Sequence, residues 1–212
     1  MDNIKRGWLH HHNTQIVRRE IKEYDYFFKT IIIGDGGVGK TAILIRFSRK
    51  GFTEDDLLYP SGVPFIPEDV EIETPKGDSI LSKLLIWDTG GQENFGPIRT
   101  TWYRAVNGAL LVFDLTMKST FKNLPKWVKK LRENVKEPLS ILLVGNKKDL
   151  GDLRKVNQQE AIDFAKIINA QYIETSAKTG ENVVDTFEAL TMVMITYFKP
   201  EFSEELKTFK KL

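Results

Sequence analysis

The chain has 212 residues, 41% hydrophobic and 28% charged, enough apolar material for one domain with some tail and too much for a wholly disordered chain. Its 31 basic and 29 acidic residues leave a formal net charge of +2, too balanced to imply a nucleic-acid partner. Cysteine is absent, which excludes disulfides, thiolate metal sites, cysteine nucleophiles and prenyl or palmitoyl anchors. No apolar run nears the ~18 residues that would span a bilayer. MDNIKRGW has no apolar secretory segment, and Asp2 is not the glycine that myristoylation needs. The expectation is a soluble cytoplasmic protein.

Three zones are expected: an N-terminal extension (1–25), a single domain (26–198) and a charged tail (199–212). The adjacent His10, His11 and His12 do not suggest a metal site, because neighbouring side chains rarely converge on one ion. In the middle zone, short β-branched apolar runs alternate with amphipathic stretches. Phe27–Ile33 is the first expected strand, buried on both faces. The loop after it, Gly34-Asp35-Gly36-Gly37-Val38-Gly39-Lys40-Thr41, fits G-x-x-x-x-G-K-[ST] and opens an amphipathic helix carrying Ile43, Leu44 and Phe47. Its glycines let successive N–H groups converge on phosphate oxygens, and the helix adds its positive end. Lys40 can reach terminal phosphates, and the Thr41 hydroxyl can ligate Mg²⁺.

A hairpin is expected over Val70–Trp87, turning at Pro75-Lys76-Gly77-Asp78, with Leu81–Trp87 as its second strand. Trp87-Asp88-Thr89-Gly90-Gly91-Gln92-Glu93 follows. Asp88 can hold Mg²⁺ through water, Gly91 can turn its N–H toward a γ-phosphate, and Gln92 can orient an attacking water. Ala109–Asp114 is the next strand. Leu124, Trp127, Val128, Leu131 and Val135 then share one helix face, with Pro125 in the first turn, where its missing N–H costs nothing.

The strand Ile141–Gly145 leads into Asn146-Lys147-Lys148-Asp149. The Asp149 carboxylate can accept from N1–H and N2–H₂ of guanine, a donor pair that adenine lacks. Lys147 can lay its stem along a base and Asn146 can tie loops together; a solvated turn is the other reading of these four residues. Asn157 and Glu160 resemble a capping box before Ala161, Phe164, Ala165 and Ile168. After the strand Gln171–Glu174, Thr175-Ser176-Ala177-Lys178 could offer the Ala177 N–H to a guanine carbonyl. Val183, Val184, Phe187, Leu190, Met194 and Tyr197 mark the last helix. Alternating strands and helices predict an α/β fold, a mostly parallel sheet covered on both faces, with ligands at the carboxyl ends of the strands.

With four such loops in this order, the sequence resembles a Ras-superfamily small GTPase, closest to the Rab branch, over roughly residues 26–198. WDTGGQENF, Trp102-Tyr103-Arg104 and GALLVFDLT carry the Rab likeness. The resemblance implies a P-loop G domain, a six-stranded mostly parallel sheet with one antiparallel edge strand and helices on both faces. It implies GTP or GDP held with Mg²⁺ and slow GTP hydrolysis in a molecular switch regulating intracellular membrane traffic or related signalling. The nucleotide contacts it implies are Asp35, Gly36, Gly37, Val38, Gly39, Lys40, Thr41, Ala42, Phe52, Gly91, Asn146, Lys147, Asp149, Ser176, Ala177 and Lys178. Catalytic roles fall to Gln92 and Lys40, and metal contacts to Thr41, Ser61 and Asp88.

Ser61 stands where the family's first switch usually has threonine, and Gly90 where it usually has alanine, as in the Arf branch. No arginine lies between Phe52 and Trp87, so hydrolysis is expected to need charge donated by an activating protein. An exchange factor and effectors complete the implied partners of an expected monomer. Phe65, Trp87 and Trp102 read either as an effector-facing aromatic triad or as packing under the switches. Phe202, Leu206 and Phe209, and Trp8, Leu9, Ile16, Val17 and Ile21, read as amphipathic membrane contacts or as tails that are solvated or packed on the domain. The alternative function is a nucleotide-binding interaction module with little or no hydrolysis.

Overall fold

The computed structural model describes residues 23–49, 65–73, 79–89, 102–136, 138–198 and 200. Six strands follow in chain order: β1 Tyr26–Ile33, β2 Ile66–Glu73, β3 Ser79–Asp88, β4 Gly108–Asp114, β5 Ser140–Asn146 and β6 Gln171–Glu174. They form one sheet in the order β2-β3-β1-β4-β5-β6. Only β2 runs antiparallel, against β3; every other pairing is parallel. The expected mixed sheet with one antiparallel edge strand is what the chain forms.

The helices are α1 Lys40–Arg49, α2 Lys118–Lys122, α3 Leu124–Asn134, α4 Gln158–Ile167 and α5 Val183–Phe198, with a 3₁₀ helix at Lys148–Leu153. Strand residues alternate between two cores, as a pleat requires. Phe28 and Ile32 of β1, with Leu84, Ile86, Leu110 and Val112, meet Ile43 and Leu44 of α1 and Phe187 and Leu190 of α5. Ile31 and Ile33, with Ala109, Leu111 and Phe113, meet Leu124, Val128 and Leu131 of α3 and Ala161 and Ala165 of α4. Phe187 is fully buried and stacks on Phe47 with ring centroids 3.9 Å apart. Each such side chain contributes roughly 1.5–3 kcal/mol by leaving water.

Three local expectations are revised. The hairpin's first arm begins at Ile66, not Val70, because Pro67, which has no N–H to donate, sits on an edge strand where that loss is tolerated. Its turn, 75–78, lies outside the described residues. In α5, Val183, Phe187, Leu190 and Met194 are buried, but Val184 and Tyr197 are 50% and 59% exposed. The apolar stripe read from the sequence was therefore wider than the face the sheet covers. At α4, Asn157 accepts from the Gln159 N–H at 2.8 Å, as a cap should, while Glu160 reaches Lys118 rather than closing the box.

Tyr24 and Asp25 already pair with the sheet. Asp25 exchanges backbone and side-chain bonds with Leu81, each 2.8 Å, and the Tyr24 hydroxyl donates to Asp69 at 3.1 Å. Among the described residues no helix is long and apolar enough to cross a membrane. The tail segments read as membrane contacts lie outside the described residues.

Candidate functional site

The loops that follow β1, β3, β5 and β6 all emerge at the carboxyl end of one sheet, and side chains join them. Gly34 begins the first loop at φ +142°, backbone against backbone: a Cβ there would stand 2.1 Å from the Val112 carbonyl oxygen. Gly39, at φ +94°, lies under Asn146, whose Nδ2 would be 2.3 Å from an added Cβ. Both positions need glycine for conformation and for space. Gly36 and Gly37 are exposed and Val38 is fully buried. Ala42 is half-buried against the core.

Lys40 is 4% exposed, and its Nζ donates to the carbonyls of Gly34 at 2.8 Å and Asp35 at 2.7 Å. The ammonium is thus held across its own loop, at the positive end of α1, whose first turn has no acidic residue. Thr41 Oγ1 donates to Asp88 Oδ2, joining the start of α1 to the end of β3. The Asp35 carboxylate accepts from Asn123 Nδ2 and Trp127 Nε1, both at 2.7 Å.

Asn146 is the knot of the other half. Its Nδ2 donates to the Val38 carbonyl at 2.8 Å, and its Oδ1 accepts from Thr175 Oγ1 at 3.2 Å and Ala177 N–H at 3.1 Å. The Ala177 N–H read as available to a base is therefore engaged with Asn146. Asp149 Oδ1 accepts from Ser176 Oγ at 2.7 Å. Lys147 takes a left-handed φ of +70° and its Nζ lies 2.6 Å from Asp114 Oδ2. The carbonyls of Ala177 and Lys178 both accept from the Arg46 guanidinium of α1.

The structure thus brings together Asp35–Ala42, Asp88, Asn146, Lys147, Asp149, Ser176, Ala177 and Lys178. Phe52, Ser61, Gly91 and Gln92 lie outside the described residues. Of the aromatic triad, Phe65 and Trp87 rings are 5.3 Å apart. Lys29 Nζ sits 4.4 Å over the Trp87 ring.

Sequence reasoning missed the residues that position these loops. Asp114 ends a buried apolar strand much as Asp88 does, and that parallel was the available signal. Its carboxylate also accepts from Thr116 N–H at 2.8 Å and Oγ1 at 2.7 Å. Arg154 donates in bidentate fashion to Glu174, at 2.8 and 2.6 Å, and Tyr172 donates to the same carboxylate at 2.8 Å. This triad ties the chain after the 3₁₀ helix to the base of the Thr175–Lys178 loop. No spacing in the sequence announces it.

Burial would raise the Asp114 carboxyl, but hydrogen bonds from Lys147 and Thr116 outweigh it and hold it below the ordinary value. Glu174 is likewise pushed up by burial and pulled lower by Arg154 and Tyr172. Both folded values lie below the unfolded ones of roughly 3.9 and 4.3, so both groups stabilise the fold above that range and lose the contribution as pH falls. Urea midpoints should drop steeply below about pH 4.5. Asp114→Asn and Glu174→Gln should each lower the neutral-pH midpoint yet flatten the acid slope. Parallel acid slopes for variants and wild type would contradict this.

A family model, described as Ras family, matches residues 29–196, most of the chain. The chain belongs to the Ras family. The curated relatives of this Ras-family chain include the GTP-binding protein ypt3 of Schizosaccharomyces pombe, 43% identical over 168 residues, which cover 79% of this chain and 76% of that protein. The Ras-related protein Rab-13 of Canis lupus familiaris is 40% identical over 80% of each chain. Rab-11A of Dictyostelium discoideum is 39% identical over 86% of this chain and 83% of its own. The Ras-family match spans all five helices and six strands described above except the first residues of β1 and the last of α5.

Proposed function

We propose that this Ras-family chain is a Rab-like GTP-binding switch that hydrolyses GTP and acts in membrane traffic. The observation that carries the reading is the Asn146 knot. One buried amide joins the phosphate-type loop to both loops suited to a guanine base, so the two ends of a nucleotide meet one prearranged surface. Lys40 and the N–H groups of Asp35–Ala42 take the phosphates. Asp149 takes the guanine edge, with Lys147 and Phe52 along the nucleoside, while Ser176, Ala177 and Lys178 complete that side.

A divalent cation suits the donor set: the Thr41 hydroxyl and the Asp88 carboxylate converge as hard oxygens where α1 begins and β3 ends. Thr41 and Ser61 would hold Mg²⁺ directly and Asp88 through water. The ion would neutralise charge on the β- and γ-phosphates. Gly91 senses the γ-phosphate and Gln92 orients water. Hydrolysis then needs little bond-making chemistry from the protein, mainly positioning and charge, and Lys40 supplies fixed positive charge. With no arginine from Phe52 to Trp87, an activating protein supplies the missing charge; an exchange factor and effectors are the other partners. The protein works in the cytoplasm, at the periphery of membranes.

The test is single-turnover hydrolysis of GTP with Mg²⁺, following phosphate release. Slow release, lost in Gln92→Leu, is expected. Fast release insensitive to Gln92→Leu would remove Gln92 from its role, and no release from bound GTP would sink the hydrolysis.

A further inference from the structure

The Asp35 carboxylate belongs to the loop proposed to bind polyphosphate, where a free anion would oppose the ligand. It is not free. Trp127 Nε1 donates to Oδ1 and Asn123 Nδ2 to Oδ2, each at 2.7 Å, across 92 and 88 residues of sequence. Both donors are neutral, so they fix the carboxylate's direction and leave its charge in place. Lys130 lies over the Trp127 ring at 4.9 Å, and that ring packs against the core on the α3 side of the sheet. The Asp35 carbonyl accepts from Lys40 Nζ at 2.7 Å. Asp35 is therefore gripped at its side chain by α3 and at its backbone by the ammonium proposed to meet the phosphates.

We infer that Asn123 and Trp127 are positioning residues for the nucleotide. They hold Asp35 turned away from the phosphates and the loop's N–H groups in register, so that α3 sets how slowly nucleotide leaves. This rests on the nucleotide-binding reading above. Both hydrogen bonds go to a charged acceptor, the stronger class, so losing one should be felt at the phosphates rather than at the base.

The experiment loads the full chain with a fluorescent GDP and chases it with excess GDP in Mg²⁺. Trp127→Phe keeps the ring and removes the donor; Asp35→Ala removes the acceptor from a loop position outside the core. Each should speed release about tenfold. The double variant should be no faster than Asp35→Ala alone, because Trp127→Phe deletes one of the two bonds that Asp35→Ala already removes. Asp35→Asn should restore slow release: its carbonyl accepts from Trp127, and its NH₂ donates to Asn123 once that amide is flipped.

Preference for GDP over inosine diphosphate should stay constant throughout, a ratio that general loosening of the base loops would change. Unchanged release in Trp127→Phe and Asp35→Ala would overturn the inference while leaving the nucleotide reading intact. So would additive increments, or no rescue by Asp35→Asn. Failure of the wild-type chain to take up any guanine nucleotide would overturn both.

Discussion

Asparagine in place of Asp149 is expected to exchange guanine for xanthine as the favoured base. A carboxylate offers two acceptors, which match the N1–H and N2–H₂ donors of guanine. A carboxamide offers one acceptor and one donor, which match N1–H and the C2 carbonyl of xanthine. Guanine then faces a donor opposed to a donor, and loses a charge-assisted bond besides. Sites that read a base by such bonds discriminate by about 10⁴, so the GTP-to-XTP preference should swing by that order. The fold should survive, since the Ser176 hydroxyl, 2.7 Å from Asp149 Oδ1, can donate equally to a carboxamide oxygen. Displacement of bound fluorescent GDP by each triphosphate measures the swing. An unchanged guanine preference would take the base-reading role away from Asp149.

Gly34→Ala should be the most damaging single methyl in the described residues. The residue sits at φ +142°, where an L side chain costs about 1–3 kcal/mol. The added Cβ meets the Val112 carbonyl oxygen at 2.1 Å, a backbone atom inside β4 that cannot swing aside. Forcing β1 and β4 apart adds about 1–3 kcal/mol more. The total of about 2–6 kcal/mol is a large share of the 5–15 typical of a domain. Gly36→Ala, two residues on, meets nothing within 4 Å and its φ is not positive. It should leave urea unfolding nearly unchanged. Equal midpoints for the two variants would refute the argument.

The loops after β1, β5 and β6 were legible because each is a contiguous run placed after a buried strand, and strand burial is written in composition. β1, β4, β5 and β6 fall within about two residues of the apolar runs that announced them, inside the usual scatter of element ends. What escaped was pairing across distance. Periodicity assigned Trp127 to the inner face of its helix, which is right for the ring and silent about the indole N–H that reaches Asp35. Nothing in the spacing of α1 marks Arg46, yet its guanidinium holds the Ala177 carbonyl at 2.9 Å from 131 residues away. A period states which face a residue occupies, never which loop of another element will arrive there. Val184 and Tyr197 erred in the opposite sense: apolar and on the stripe, but beyond the reach of the sheet.

The strand at the centre of the sheet is made before either neighbour. Lys29 and Asn107, whose bonds mark where β1 meets β4, are 78 residues apart, and the Asp25–Leu81 bond beside β3 spans 56. At ribosomal rates of about 5–20 residues per second, the Ile31-Ile32-Ile33 run waits roughly 4–16 s for its second partner. The nascent chain therefore carries this apolar run early and encloses it late. A translation stalled between β3 and β4 would leave a half-sheet with β1 as a bare apolar edge.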